Sequence, residues 1–418
     1  MSSIRKNIVF ILGSYYPNYS AVGKCLGNIA DILEEDYNIT VISMKNKFDQ
    51  EEKAIYRRQD IIRVSTKYLD KRMIIKEKIK ASEGIKKYIY LKCEKILRLY
   101  GFFRIIFSKN TIDKALEKKF ILALQNINSP IDYIIPTCSP FESINAALKF
   151  KERKDVEIIP FIFDLFAENN NLNRCTFNKR LKKKANMRLE RKMLEHSKCI
   201  FYVSNWTDYL NENFSEFLTK SIEVEHPLLI KKNECINKSY DENIHIVYTG
   251  ILDEKIRNPE FALELLIQMS KDIVGDFYSF GSGNIFVEKQ SNKFPEKVIS
   301  HGKVTSVEAS KARLMGNILL SIGNKNVTQI PSKTFEYIST GKAILHIAEN
   351  SSDPTIKLLD KYPAKMIVIK NEFYDIGEIE KFIRKNQFTD IPFDSILKMY
   401  YFAYPPYICE KMKSQLTV

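Results

Sequence analysis

Short apolar runs, each long enough for a buried strand and most followed by a helix-periodic segment, recur along this chain and constrain its fold more than any other feature. Residues 7–12 form the first run, a loop follows at 13–23, a helical pattern occupies about 24–35, and a second run covers 39–44. This βαβ opening continues with runs at 133–135, 158–163 and 199–203. The alternation stops near Glu225-His226-Pro227-Leu228-Leu229 and passes through a polar stretch at 231–243. It restarts with strands expected at 244–248, 276–280, 318–322, 343–347 and 364–369, and a helix at 259–270. The expected fold class is α/β: two Rossmann-like doubly wound domains facing a cleft. The domains are placed at 1–228 and 244–392, with a linker at 229–243 and a last amphipathic helix within 393–418 packing back across the junction.

A chain of 418 residues exceeds one ordinary core, and a hydrophobic fraction of 44% suffices for two. The formal net charge of +14 calls for a polyanionic neighbour. No zinc-finger spacing or RNA-binding aromatic signature is present, so no nucleic acid is expected; phosphorylated substrates and an anionic membrane surface remain. Seven cysteines, odd in number and without a CxxC pair, suggest neither a disulfide framework nor a metal site. No uncharged run approaches the ~18–20 residues that span a bilayer. The expected location is cytoplasmic, peripheral on the inner face of the membrane.

In open α/β sheets ligands sit beyond the carboxyl ends of the strands, so the loops after strands carry the chemistry. The segment Gln329-Ile330-Pro331-Ser332-Lys333-Thr334-Phe335-Glu336-Tyr337 through Gly341-Lys342 reads as a helix with Pro331 in its first turn and Gly341 at its stop. Ser332 and Lys333 would then lie where backbone N–H groups and the dipole attract phosphate, with Glu336 a turn further in to accept from a ribose diol. Upstream, Gly250 closes one strand with Lys255 and Arg257 shortly after, and Gly281-Ser282-Gly283 closes the next. Each feature alone has an ordinary meaning as a turn or a solvated cation. In succession at strand ends they describe a sugar-nucleotide pocket.

Tyr248-Thr249-Gly250 through Arg257-Asn258-Pro259, Phe280-Gly281-Ser282-Gly283 and Pro331-Ser332-Lys333 through Gly341-Lys342 together resemble the donor half of GT-B glycosyltransferases. The likeness is nearest to the retaining family four of bacterial cell-surface polysaccharide synthesis. In the first half, the loop ending in Ser20-Ala21-Val22-Gly23 resembles that family's acceptor-side loop. The resemblance implies that Arg257 is the diphosphate-binding cation, that Glu336 is the second glutamate of the E-x7-E motif and holds the ribose, and that amides of 329–333 face the diphosphate. It departs at two positions. Ile251 replaces a usual arginine, leaving Lys255 to supply charge, and Thr328 stands where the first glutamate belongs, with Gln329 beside it.

The implied activity is transfer of a sugar from a nucleotide diphosphate donor, by default a UDP-sugar, to a surface-glycan acceptor that is lipid-linked, with retention. No metal or cofactor is called for, since cations and amides stabilise the leaving group. Thr328 leaves the donor sugar and the stereochemistry open. A non-catalytic nucleotide-sugar-binding homologue and a sugar-nucleotide epimerase are the alternatives. On the acceptor side Asp164 follows the strand 158–163 as a catalytic candidate, balanced against an N-cap role; His196 and His226 lie outside the expected strand-end loops and read as structural. Two basic segments bear on the membrane. Within 71–109, Ile89, Cys93, Ile96, Tyr100, Phe103 and Phe107 recur at helical spacing beside Lys92, Lys95 and Arg98. Residues 174–192 carry nine cations and one acid, including Lys182-Lys183-Lys184. Alanine at Arg257 or Glu336 is expected to abolish transfer and leave the fold intact.

Overall fold

A computed structural model of the chain describes residues 5–169, 173, 175–231, 242–325 and 330–416. It divides into two compact units, Met1–Pro227 with Pro406–Val418, and Leu228–Pro405.

In the first unit, β1 (Asn7–Ile11), β2 (Asn38–Met44), β3 (Lys53–Tyr56), β4 (Gln59–Val64), β5 (Tyr133–Pro136) and β6 (Glu157–Ile158) make a sheet of order β3-β4-β2-β1-β5-β6. All its pairings are parallel except that of β3 with β4. A second sheet follows as β7 (Phe161–Ile162), β8 (Ile200–Val203) and β9 (Ser221–Val224). The run expected as one strand at 158–163 is thus two, because Pro160 has no N–H for the ladder. Thr137 still bridges to Phe161, and Phe201 N donates to Pro160 O at 2.9 Å, so the two sheets meet at the proline.

Helices cover the faces. In α1 (Ala21–Leu33) Ser20 is the N-cap, its Oγ accepting from Gly23 N at 3.0 Å. A Cβ at Gly23 would lie 2.0 Å from Ser14 O, so only glycine lets this helix start against the loop after β1. Ser20 to Gly23, the acceptor-side segment, is therefore a helix cap packed on a strand-end loop. Between β4 and β5 stand α2 (Lys67–Ala81), α3 (Gly84–Ile106) and α4 (Lys114–Gln125), and α5 (Glu142–Lys151) follows β5. The core joins Ile134, Phe141, Ile144, Phe166, Met193 and Trp206, each almost wholly removed from water, at about 1.5–3 kcal/mol per large apolar side chain.

The second unit is one parallel sheet: β10 (Ile244–Ile251), β11 (Ile273–Phe280), β12 (Val298–Ser300), β13 (Ile318–Ile322), β14 (Ala343–Ala348) and β15 (Lys365–Ile369), ordered β12-β11-β10-β13-β14-β15. Counted from its own first strand this is the 3-2-1-4-5-6 order of the dinucleotide fold, whose switch point falls between β10 and β13. β11 begins at Ile273, before Gly275, where a side chain would meet Leu266 Cδ1 at 2.7 Å; the glycine admits a helix and does not end the strand. The terminal segment forms two helices, Phe393–Tyr400 and Pro405–Leu416, interrupted by a 3-10 turn and Tyr404-Pro405-Pro406. The latter helix belongs to the first unit, where Tyr133 Oη donates to Leu416 O at 2.5 Å and Lys413 pairs with Asp36 at 2.5 Å.

Candidate functional site

The switch point of the second unit gathers most of the residues expected to hold a donor. The helix Lys333–Ile338 follows β13, and its Tyr337 hydroxyl accepts from Thr249 N at 2.9 Å and lies 3.2 Å from Thr249 O, fixing the helix to the end of β10. On that helix Glu336 is only 5% exposed. Its Oε2 is 2.9 Å from Arg313 Nη2 and 3.2 Å from Lys333 Nζ. Arg313, in the last turn of the helix Ser306–Met315, is itself buried and also donates through Nη1 to Thr249 Oγ1 at 3.1 Å. The carboxylate thus lies in an ionic pocket, not among hydrocarbon, with a buried cation beneath it and half-exposed Lys333 above. Sequence reasoning missed Arg313, which the helix buries together with Ser310 and Ala312.

Gly250 has φ +144°, and a Cβ there would sit 4.0 Å from Lys333 Cγ, so the β10 turn lies against that lysine. Beyond it, Asp253 Oδ1 accepts from Lys255 N (2.9 Å) and Ile256 N (3.1 Å), and Ser282 Oγ donates to Asp253 Oδ2 at 3.2 Å. Gly281 (φ +113°) and Gly283 lie so close to Leu252 and Asp253 that side chains would collide, at 2.2 Å from Leu252 O and 3.2 Å from Asp253 N. The glycines let two strand-end loops lock together, and Ser282 is a strut between them.

Arg257 closes the turn back toward β13. Its Nη2 donates to Asn324 Oδ1 at 2.8 Å, its Nη1 reaches Ile251 O at 3.4 Å, and its Nε has no partner among the described residues. Burial pushes the Tyr248 hydroxyl up to about 12, against the pull of the adjacent Arg257 guanidinium. The Asn324 loop rests on Asp353, whose Oδ2 would be 2.0 Å from a Cβ at Gly323 and which pairs with buried His346 at 3.2 Å. Lys255 is exposed and contributes only its backbone N–H to the turn. Pro331 is buried and Ser332 caps the helix without a side-chain bond. The helix has six residues, so the charge at this point comes from side chains more than from its dipole. Thr328 and Gln329 lie outside the described residues.

In the first unit, Asp164 follows β7. Its N–H points at Cys138 Sγ (3.3 Å), and Asn205 Nδ2 donates to Phe163 O at 3.0 Å. Glu190, in the helix Thr176–His196, accepts from Phe166 N and Ala167 N at 3.1 Å each and from Tyr209 Oη at 2.5 Å, so it pins the Asp164 loop from within. His226 comes two residues after β9, so it does lie in a strand-end loop, contrary to expectation. Its Nδ1 is 3.2 Å from Glu225 Oε2, and its ring stands 5.5 Å from that of Phe163. The carboxyl ends of β7, β8 and β9 therefore bring together Asp164, Asn205 and the Glu225–His226 pair, a cluster the sequence reading did not assemble.

Burial, opposed by Tyr209 and the two backbone N–H groups, pushes the Glu190 carboxyl up to about 7. The folded state therefore keeps a proton that an unfolded chain releases above about pH 4.3. This contribution is complete below that pH and is lost as pH rises through 7. Glu190→Gln keeps the two backbone bonds, reverses the donor in that to Tyr209 and removes the titration. Buried Glu142, also pushed up to about 7 by burial, titrates in the same window. The variant should therefore lose the Glu190 share of the pH 5–7 fall in unit stability, on the order of 2 kcal/mol. Trp206, the single tryptophan, packs edge-on at 5.4 Å to Tyr209 and reports denaturant unfolding of this region by fluorescence. An unchanged slope would remove Glu190 as its source.

No protein-family model and no curated protein matches the sequence. Solved structures do match over nearly the full length. Sucrose-phosphate synthase of Thermosynechococcus elongatus has a TM-score of 0.63 at 10% identity, with 98% of each chain covered. The catalytic domain of starch synthase IV of Arabidopsis thaliana, bound to ADP and acarbose, gives 0.59 at 8% identity, with 99% of each chain covered. The Anabaena protein HepE, in complex with UDP and glucose, gives 0.57 at 9% identity, covering 99% of this chain and 100% of that one. Such low identities speak to fold, and the fold is that of the GT-B glycosyltransferases: α/β, with two Rossmann-like domains.

Proposed function

We propose that the chain is a glycosyltransferase that moves a sugar from a nucleotide diphosphate donor to a surface-glycan acceptor carried on a lipid. One observation carries this reading: Arg257, Lys333 and Glu336, with Arg313 beneath, converge on the ends of β10 and β13 at the switch point. In it Glu336 takes the ribose diol, and Arg257 and Lys333 meet the diphosphate as charge develops on the leaving group. No resident cofactor is required. UDP is the first nucleotide to test, and two of the structural neighbours were solved with UDP and glucose or UDP-2-fluoro-glucose.

A thermal-shift panel of UDP-, GDP-, dTDP- and CMP-sugars tests the donor. A true donor at a hundredfold its Kd should add about 2.7 kcal/mol to the unit that binds it. Silence across the whole panel would remove the nucleotide site. Binding without transfer would favour the non-catalytic homologue, and conversion of the donor alone an epimerase.

Stereochemistry divides the reading. Retention needs no protein base, since the donor phosphate can accept the acceptor proton. The Glu225–His226 pair favours a second course, inversion, in which an imidazole oriented through Nδ1 acts as general base. The anomeric configuration of the product by NMR separates them, and under retention His226→Ala retains most of its turnover.

A further inference from the structure

From Lys67 to Phe107 the chain carries twelve Lys and Arg against four Asp and Glu. It folds as the hairpin of α2 and α3, none of whose helical residues except Gly101 is fully buried. An ordinary surface helix turns its apolar stripe inward. Here the inward side of α3 is mixed, with Leu97 and Ile105 only half-buried beside Glu94 and Gly101: Glu94 bonds Arg72 at 3.0 Å, Leu97 O accepts from Tyr68 Oη at 3.1 Å, and Gly101 makes room for the Tyr68 ring. Ile85, Ile89, Ile96, Tyr100, Phe103 and Phe107 recur at four-, seven-, four-, three- and four-residue steps, a single stripe on another side of the helix. That stripe is bare to solvent, with Ile85 79%, Ile96 63% and Phe107 83% exposed. Lys92, at its edge, lies 4.6 Å over the ring of Tyr88.

We infer that this hairpin is a docking surface for an anionic lipid bilayer, with the stripe of α3 entering the acyl boundary and the flanking lysines and arginines meeting headgroups. Charge selects the occupant. A second copy would bring the same excess of positive charge to the same face, whereas an anionic surface neutralises it. No helix among the described residues is long and apolar enough to cross a membrane, so the contact is interfacial. Three lysines of the other basic segment are committed elsewhere. Lys182 is buried, donating to Ile105 O and Ser108 Oγ at the end of the hairpin, and Lys179 and Lys183 pair with Glu168 at 3.0 and 2.5 Å.

This inference is independent of the transferase reading, because its test needs neither donor nor turnover. The full-length protein is floated with phosphatidylcholine vesicles containing about one-third phosphatidylglycerol, and with phosphatidylcholine alone. The wild type should partition to the anionic vesicles, and Ile96→Glu/Phe103→Glu should lower that partition at least about tenfold with an unchanged circular-dichroism melt. Lys183→Glu/Lys184→Glu should remain within about twofold of wild type. The inference is overturned if wild type stays with the soluble fraction, if the double glutamate variant floats like wild type, or if sedimentation shows a dimer that the same variant dissociates.

Discussion

Glu336→Ala should destabilise the second unit by about 3–5 kcal/mol, because it strands the buried Arg313 guanidinium without a counter-charge. The expectation that alanine here leaves the fold intact is therefore replaced. Lys333 cannot compensate, being a cation itself. Arg313→Met alone should cost a similar amount, since Glu336 would lose its buried counter-charge. Replacing both, as Glu336→Leu/Arg313→Met, should restore most of the loss, as buried pairs exchanged for apolar residues of like volume often do. Hydrogen exchange in 306–315 and 333–341 reads this directly. All three variants should lose nucleotide binding, the double variant while still folded. A stable Glu336→Ala with wild-type affinity for the donor would end the assignment of that carboxylate.

Much of this was legible because strands buried on both faces write themselves as apolar runs, and the loops after them hold glycine for reasons of backbone alone. Gly250 and Gly281 have positive φ, so they mark the strand ends whatever binds there. What was not legible depended on contacts distant in sequence. Arg313 precedes Glu336 by a strand and a loop, and nothing local separates it from a solvated arginine. β9 went unseen because Ser221-Ile222-Glu223-Val224 is short and half polar, and with it His226 was misplaced. In α3 the period showed an amphipathic helix, but periodicity does not reveal which face the domain covers. Pro160 is a different case: its missing N–H is plain in the sequence, yet 158–163 was expected as one strand and divides there between two sheets.

Arg257→Ala tests the charge at the switch point with far less risk to the fold. The side chain is half-buried, and its removal forfeits one good hydrogen bond, to Asn324 at 2.8 Å, worth about 1 kcal/mol. Its larger consequence should fall on the ligand. A hydrogen bond to a charged group contributes about 1.5–3 kcal/mol, so UDP affinity should drop roughly 10- to 150-fold. The loss must follow the diphosphate: titration calorimetry should show UDP weakened and uridine, which lacks it, unchanged. Arg257→Lys should fall between, since an ammonium cannot hold Asn324 and an anion together as a planar fork does. Salt supplies a second readout, because screening should weaken UDP binding to wild type more than to the alanine variant. Equal affinities of wild type and Arg257→Ala for UDP would mean that the diphosphate, if it binds this unit, is met elsewhere, and the switch-point reading would lose its cation.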